Sequence, residues 1–333
     1  MWDASKCDLC GDCLTRCLYV DYDKDKAVAD IKALMDGEEA GILHKCITCC
    51  ACSEYCPTGA DPFDLILRML EKTRAFPVSE EAVRFLEGVF GIPNEVTPGD
   101  PDKPALSICV MEHFLPERAL ESRLFQGLSV LKGGDYFCLL GYVHFGLESP
   151  IERRARDFID NLSSLNRDIV FLHDDCYAMV HSRVKDYGIT VPFQYMHLFE
   201  YLRDYLREHQ SNITKLGKQV AYHRPCASRY TPEKDGYLDE IFELIGVERP
   251  RRQYERETAL CCTAPIIRVY PEVAAELQTK NMDDIIECGA DALVTLCPMC
   301  DRALRRPTSQ RGVRKVYITD LCRMALGEKP WPD

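Results

Sequence analysis

The sequence predicts an α+β multidomain chain. A helical, cysteine-rich domain occupies residues 1–90, a Pro-rich linker 91–104, and a pseudo-twofold pair of α/β lobes 105–215 and 216–333. Three observations carry this. Two runs of four spaced cysteines fall within the first 56 residues. Pro93, Pro98, Pro101 and Pro104 then interrupt any helix. Beyond them, short apolar runs alternate with helical segments, and the alternation repeats.

The N-terminal runs are "CDLCGDCLTRC", with Cys7, Cys10, Cys13 and Cys17, and "CITCCACSEYCP", with Cys46, Cys49, Cys52 and Cys56. Both read C-x2-C-x2-C-x3-C and resemble the bacterial ferredoxin pattern for 4Fe–4S clusters. Three closely spaced thiolates reach three irons of one cube, and the fourth cysteine turns to the other cube. That rule groups Cys7, Cys10, Cys13 and Cys56, and separately Cys46, Cys49, Cys52 and Cys17. Two zinc sites are the alternative, but zinc modules carry paired knuckles rather than this rhythm. Cys50 is surplus and reads as a packed thiol. Leu18 stands where proline usually follows the first run. The 28 residues between Cys17 and Cys46 are long for a compact ferredoxin, and Ile31, Leu34, Met35, Ile42 and Leu43 are spaced helically. A helical two-cluster ferredoxin domain is therefore expected, with "DPFDLILRMLEKTRAF" as an amphipathic helix over the clusters.

"DIVFLH" (168–173), "KQVAYH" (218–223) and "DALVTLC" (291–297) read as strands of parallel units. "IVFLHDDCY" (169–177) lies over "LVTLCPMCD" (293–301), so His173 matches Cys297 and Cys176 matches Cys300. "FQYMHLFEYL" pairs with "VYITDLCRMA", Cys109 with Cys226, and "CLLGY" (138–142) with "LCCTA" (260–264). This register sets Leu139–Leu140 over Cys261–Cys262.

The chain has 19 cysteines among 333 residues. It opens "MWDASKCDLCGDC", without a basic start or an apolar signal core. No run nears the roughly 18 apolar residues of a membrane span. A cytoplasmic, reducing compartment is expected, with thiols serving as metal ligands. A net charge of −12 argues against nucleic acid. "RPRRQYERE" (249–257) reads as a solvated loop.

Cys226, Cys261, Cys262, Cys297 and Cys300 form C-x34-CC-x34-C-x2-C, preceded by "YHRPCASR". This resembles the cysteine-rich CCG domain found in the B component of heterodisulfide reductase and in glycolate and lactate oxidase iron–sulfur proteins. The N-terminal part resembles the C component of that reductase. The resemblance implies a noncubane 4Fe–4S cluster on these five cysteines, beside two 4Fe–4S cubane clusters. His223 is a candidate proton donor to a leaving thiolate and Arg229 a candidate anion clamp, against the plainer readings of a loop histidine bonded to backbone and a surface salt bridge. Thr263 replaces the family's glycine. The first lobe has Leu139–Leu140 and His173-Asp174-Asp175-Cys176 in place of the cysteine pairs. It should lack a noncubane cluster, and Cys109, Cys138, His173 and Cys176 are either a packed remnant or a zinc site.

Heterodisulfide reductase-like thiol/disulfide chemistry is the expected function, on a disulfide of a partner protein or a small dithiol protein. The alternative is a pure electron-relay component of a flavoprotein dehydrogenase complex. No nucleotide-binding glycine motif occurs, so any flavin or nucleotide belongs to another chain. Metal-free dithiol chemistry at "CPMC" would not need the three upstream cysteines.

Overall fold

The structure, a computed structural model, describes residues 1–332. The N-terminal region is helical. The helix Lys24–Met35 starts at Asp23, whose carboxylate accepts from the Lys26 amide. It buries Ala27, Ile31 and Leu34, while Met35 faces outward. The helix Pro62–Thr73 carries proline in its first turn and buries Phe63, Ile66, Leu67 and Leu70. Both helices contribute to the core that encloses the cysteine loops.

The two cysteine runs fold alike. Leu9 and Gly11 have φ +58° and +83°, and Thr48 and Cys50 have φ +58° and +64°. These positions match, two and four residues after the first cysteine of each run. Cys50 thus takes the left-handed position that glycine holds in the first run. It is more than a spare packed thiol, because a left-handed residue here turns the loop about its neighbours.

Among the described residues, nine strands form two sheets: β1 Glu95–Thr97, β2 Ala105–Ser107, β3 Ser129–Lys132, β4 Ile169–Phe171, β5 Tyr195–His197, β6 Lys218–Tyr222, β7 Val247–Glu248, β8 Ala292–Thr295 and β9 Lys315–Tyr317. The first sheet is ordered β1-β3-β2-β4-β5 and the second β7-β6-β8-β9. Every pairing is parallel except β1 with β3. Without β1, the two sheets have the same order. In each sheet a long helix, Ser149–Ser163 or Pro271–Glu287, enters the third of these strands in chain order. Strands buried on both faces explain the continuous apolar runs "IVF" and "ALVT". One core joins the sheets: Leu106, Val170 and Phe199 pack in the same cluster as Val220, Val294 and Ile318.

Residues 91–104, read as a Pro-rich linker, also supply an edge strand. β1 lies within them and caps the sheet edge, and the Asp100 amide bonds the Gly127 carbonyl at 2.7 Å. A Cβ at Gly99 would meet that carbonyl at 2.4 Å, so the strap needs glycine there. The arginine-rich stretch 249–257, read as a solvated loop, exposes Arg251, Gln253, Arg256 and Glu257 but is anchored at Arg252. The Arg252 side chain, only 2% exposed, donates to Asp284 at 3.1 Å and to the Tyr222 carbonyl at 2.9 Å.

Arg183 ties the N-terminal helices to the first lobe. It is buried, meets both Asp64 oxygens at 2.7 Å, and reaches Glu148 at 3.1 Å and Asp186 at 3.2 Å. Arg183→Ala should lower unfolding free energy by ~3–5 kcal/mol, because it strands buried carboxylates. Arg183→Ala with Asp64→Leu should recover part of that loss. Chemical denaturation of both proteins reads the difference.

Candidate metal and thiol centre

Each cysteine run contributes three thiols to one group and its last thiol to the other. Cys7, Cys10, Cys13 and Cys56 line one small cavity with Trp2, Ile31 and Pro62. Cys17, Cys46, Cys49 and Cys52 lie within electrostatic reach of one another. Burial pushes the thiols of Cys13 and Cys17 up to about 12, and that of Cys49 to about 11. Sulfurs grouped this way are poor thiolates unless a cation joins them, and bound metal supplies it. Backbone amides also point at sulfur. Thr48 N–H donates to Cys46 Sγ at 3.4 Å and Ala60 N–H to Cys56 Sγ at 3.3 Å. The donor set and the amide bonds both fit iron–sulfur clusters.

The five C-terminal cysteines converge from three segments. Cys226 opens a short 3-10 turn after β6, Cys261 and Cys262 lie in the loop before Pro271–Glu287, and Cys297 and Cys300 begin the helix after β8. The thiols interact in the order Cys226, Cys261, Cys262, Cys300 and Cys297, and Cys262 and Cys300 lie within 4.8 Å of each other. Thr263 has φ +72° and donates its amide to Cys261 Sγ at 3.2 Å. The strain of a β-branched left-handed residue is met locally: its carbonyl accepts from the Ile266 and Ile267 amides, and its hydroxyl from Gln278.

The series continues into the first lobe through His173. Its Nε2 lies 3.5 Å from Cys297 Sγ and its Nδ1 3.9 Å from Cys176 Sγ. Cys109, Cys138 and Cys176 are buried with their sulfurs within 4.8 Å of one another. Asp175 faces His173 Nε2 at 3.8 Å, and burial pushes its carboxyl up to about 8. His144 lines the space beside these groups. Neither His144 nor Asp175 was expected from the sequence to line the site. Both depend on the lobe–lobe approach, which no local pattern signals.

His223 is a buried side chain beside Cys262 and Cys300, with Nε2 lacking a hydrogen-bond partner among the described residues. Burial, with Arg252 adding, pushes its imidazole down to about 3. It is a buried loop histidine beside the sulfurs, with its Nδ1 3.4 Å from the Asn281 side-chain amide rather than on backbone. Arg229 is neither a surface ion pair nor an open clamp. It meets Glu54 at 2.5 Å and the carbonyls of Glu257 and Ala259 at 2.8 Å each. Glu54 lies between Cys52 and Cys56 and also receives Arg224 at 2.7 Å. Tyr19 adds a second strap, accepting the Cys261 amide at 3.0 Å. Cys49 and Cys226 sit close enough for their charges to couple.

Residues 220–305 match the family described as CCG, a cysteine-rich domain. This chain is homologous to iron–sulfur redox proteins. The D component of dihydromethanophenazine:CoB–CoM heterodisulfide reductase from Methanosarcina acetivorans is 27% identical over 42% of this chain and 36% of its own. The B component of fumarate reductase (CoM/CoB) from Methanothermobacter marburgensis is 23% identical over 86% of this chain and 62% of its own. A probable membrane-anchored ferredoxin of Chromohalobacter salexigens is 24% identical over 88% of this chain and 48% of its own. The chain thus spans between about a third and two thirds of these relatives. A solved hypothetical protein of Helicobacter pylori shares the fold, with TM-score 0.55 and 13% identity over 90% of this chain and 64% of that one. Among the described residues, no helix is long and apolar enough to cross a membrane.

Tyr19→Phe leaves the Cys261 amide without its acceptor inside the protein. It should cost ~1–3 kcal/mol in thermal or denaturant unfolding of anaerobically purified protein. An unchanged midpoint would mean water replaces the hydroxyl.

Proposed function

We propose that this chain is the iron–sulfur component of an oxidoreductase, with two 4Fe–4S cubanes and one noncubane 4Fe–4S centre, and that thiol/disulfide chemistry takes place at the last. Cys7, Cys10, Cys13 and Cys56 hold one cube, and Cys17, Cys46, Cys49 and Cys52 the other. Cys226, Cys261, Cys262, Cys297 and Cys300 hold the noncubane centre. The unbroken series of interactions through those five thiols carries this reading. When bound, the clusters supply one-electron transfer and a site for disulfide reduction.

The chain's own residues do the rest. Arg229 and Arg224 fix Glu54, so the loop of the second cysteine run and the turn at Cys226 keep a set separation. Cys49 and Cys226 mark the short approach between centres. Arg229 is a positioning residue, and its charge beside Cys49 favours the more negative, reduced state there. Asp175 and His173 are placed to hold a proton beside Cys297. The two lobes are read as a pseudo-twofold pair, supported by their shared strand order.

In the first lobe, Cys109, Cys138, His173 and Cys176 are read as a single-ion site. Zn–S bonds of ~2.3 Å at tetrahedral angles put sulfurs ~3.8 Å apart. Cys109, Cys138 and Cys176 form the compact group, their sulfurs within 4.8 Å of one another, and His173 Nδ1 lies 3.9 Å from Cys176 Sγ. A second functional reading is pure electron relay within a dehydrogenase complex, with substrate chemistry on a flavoprotein partner. The reductase relative that covers most of this chain is named as part of a fumarate reductase, which favours it.

Anaerobic protein should contain about twelve iron atoms per chain, as three four-iron centres. About eight removes the noncubane centre, and about sixteen means that the first lobe also binds iron. Cys262→Ser and Cys300→Ser should each abolish the noncubane signal in electron paramagnetic resonance, because a serine oxygen is a poor ligand for thiophilic iron. The two cubane signals should persist. Their joint disappearance would show that the ligands are shared differently.

A further inference from the structure

Four of the five thiols, Cys226, Cys262, Cys297 and Cys300, form the floor of a cavity of about 590 Å³. The cavity lies between the lobes and under the helix Glu80–Gly88. Its walls include Leu86, Val89, Val110, Phe137, Phe145 and Met299. Among the described residues, no lysine or arginine lines it. Its one carboxyl is Asp175, deep beside the thiols, and its histidines are His113 at the exposed mouth, His144, whose Nδ1 lies 3.1 Å from the Thr48 carbonyl, and His173, engaged by Asp175 at 3.8 Å and by Cys297 Sγ at 3.5 Å. Nearby cations are engaged elsewhere. Arg302 stacks on Phe114 at 5.2 Å without itself lining the cavity, and Lys132 is held by Glu95 and Glu112. At the outer end, Phe85 and Ile92 are exposed apolar residues, with Phe85 64% accessible.

A buried apolar wall with no free cation rejects anions, because a carboxylate or sulfonate entering it loses its hydration and gains no partner. The same wall favours alkyl or aryl groups through area removed from water. We propose that this cavity takes an uncharged, apolar disulfide rather than a polyanionic one, and that its apolar arms lie against Val89, Val110 and Phe145. This inference rests on the thiol/disulfide reading of the floor. The reaction breaks one S–S bond and forms two S–H bonds. It consumes two protons and two electrons, the electrons supplied by an external one-electron donor protein.

Two probes of similar length separate charge from shape: dipropyl disulfide and dithiodipropionate, the second bearing two carboxylates. Equilibrium dialysis against the anaerobic holoprotein should show dipropyl disulfide binding about tenfold or more tightly. Ile92→Lys adds a cation at the exposed mouth, where folding tolerates it. It should tighten dithiodipropionate severalfold and leave dipropyl disulfide nearly unchanged. Equal or tighter binding of the dianion by the unmodified protein overturns the inference. A separate measurement tests the reading beneath it. Dithionite-reduced protein should convert dipropyl disulfide to two equivalents of propanethiol. Selective binding without thiol formation leaves the ligand class standing and removes the disulfide chemistry.

Discussion

Glu54 is the residue on which the geometry of the centre depends. It is carried on the short helix between Cys52 and Cys56, and it receives two buried arginines from the C-terminal lobe. Arg224 and Arg229 lie two residues before and three after Cys226. One carboxylate therefore fixes the distance between a cysteine run and the first cysteine of the five-thiol set. Arg229 extends the restraint by holding the Glu257 and Ala259 carbonyls, just ahead of Cys261. Buried charges of this kind are costly to desolvate, and this cost is offset only while each has its partners. The seam is rigid for the same reason.

That rigidity bears on the proposed electron route. Transfer between centres is sensitive to separation, and Cys49 and Cys226 lie close enough across the seam for their charges to interact. Tyr19 closes it from the other side, bonding the Cys261 amide. The N-terminal run and the C-terminal thiols thus make one structural unit, although about 170 residues separate Glu54 from Arg224 in sequence. The apolar cavity opens on the far side of the same thiols. In the proposed reading, electrons arrive through the polar seam and the ligand through the apolar mouth, so neither path crosses the other.

Much of this was legible in the sequence, because spacing encodes local geometry. The three-residue rhythm of the cysteine runs implies tight loops, and the exchange of the fourth cysteine brings Cys56 beside Cys13. The runs "IVF" and "ALVT" announced buried parallel strands. What could not be read was long-range charge pairing. Arg229 and Arg252 look like surface residues in a charged stretch, and only the folded chain surrounds them with carbonyls and carboxylates. Prolines 93–104 suggested a linker, yet a three-residue strand between prolines pairs with β3. A short edge strand needs few residues and leaves no periodic signature.

The first-lobe register shows how backbone conformation refines a sequence repeat. The sequence set Leu139–Leu140 over Cys261–Cys262, an offset of 122. His173 and Cys176 match Cys297 and Cys300 at 124. Leu139 and Thr263 resolve the difference. Both are left-handed, at φ +67° and +72°, and each carbonyl accepts the amide three residues on, of Tyr142 and Ile266. A left-handed leucine or threonine costs ~1–2 kcal/mol and is not placed there by chance. Taking them as equivalent restores the 124-residue offset and sets Cys138 over Cys262, and Phe137 over Cys261. The first lobe then keeps the second thiol of the pair and both positions of the last motif, one of them as histidine. What it lacks is the adjacent thiol. A five-thiol cluster needs that neighbour, whereas a single ion held by Cys109, Cys138, His173 and Cys176 does not. His173, which aligns with Cys297 at the same 124-residue offset, also meets Cys297 itself, with Nε2 3.5 Å from its Sγ.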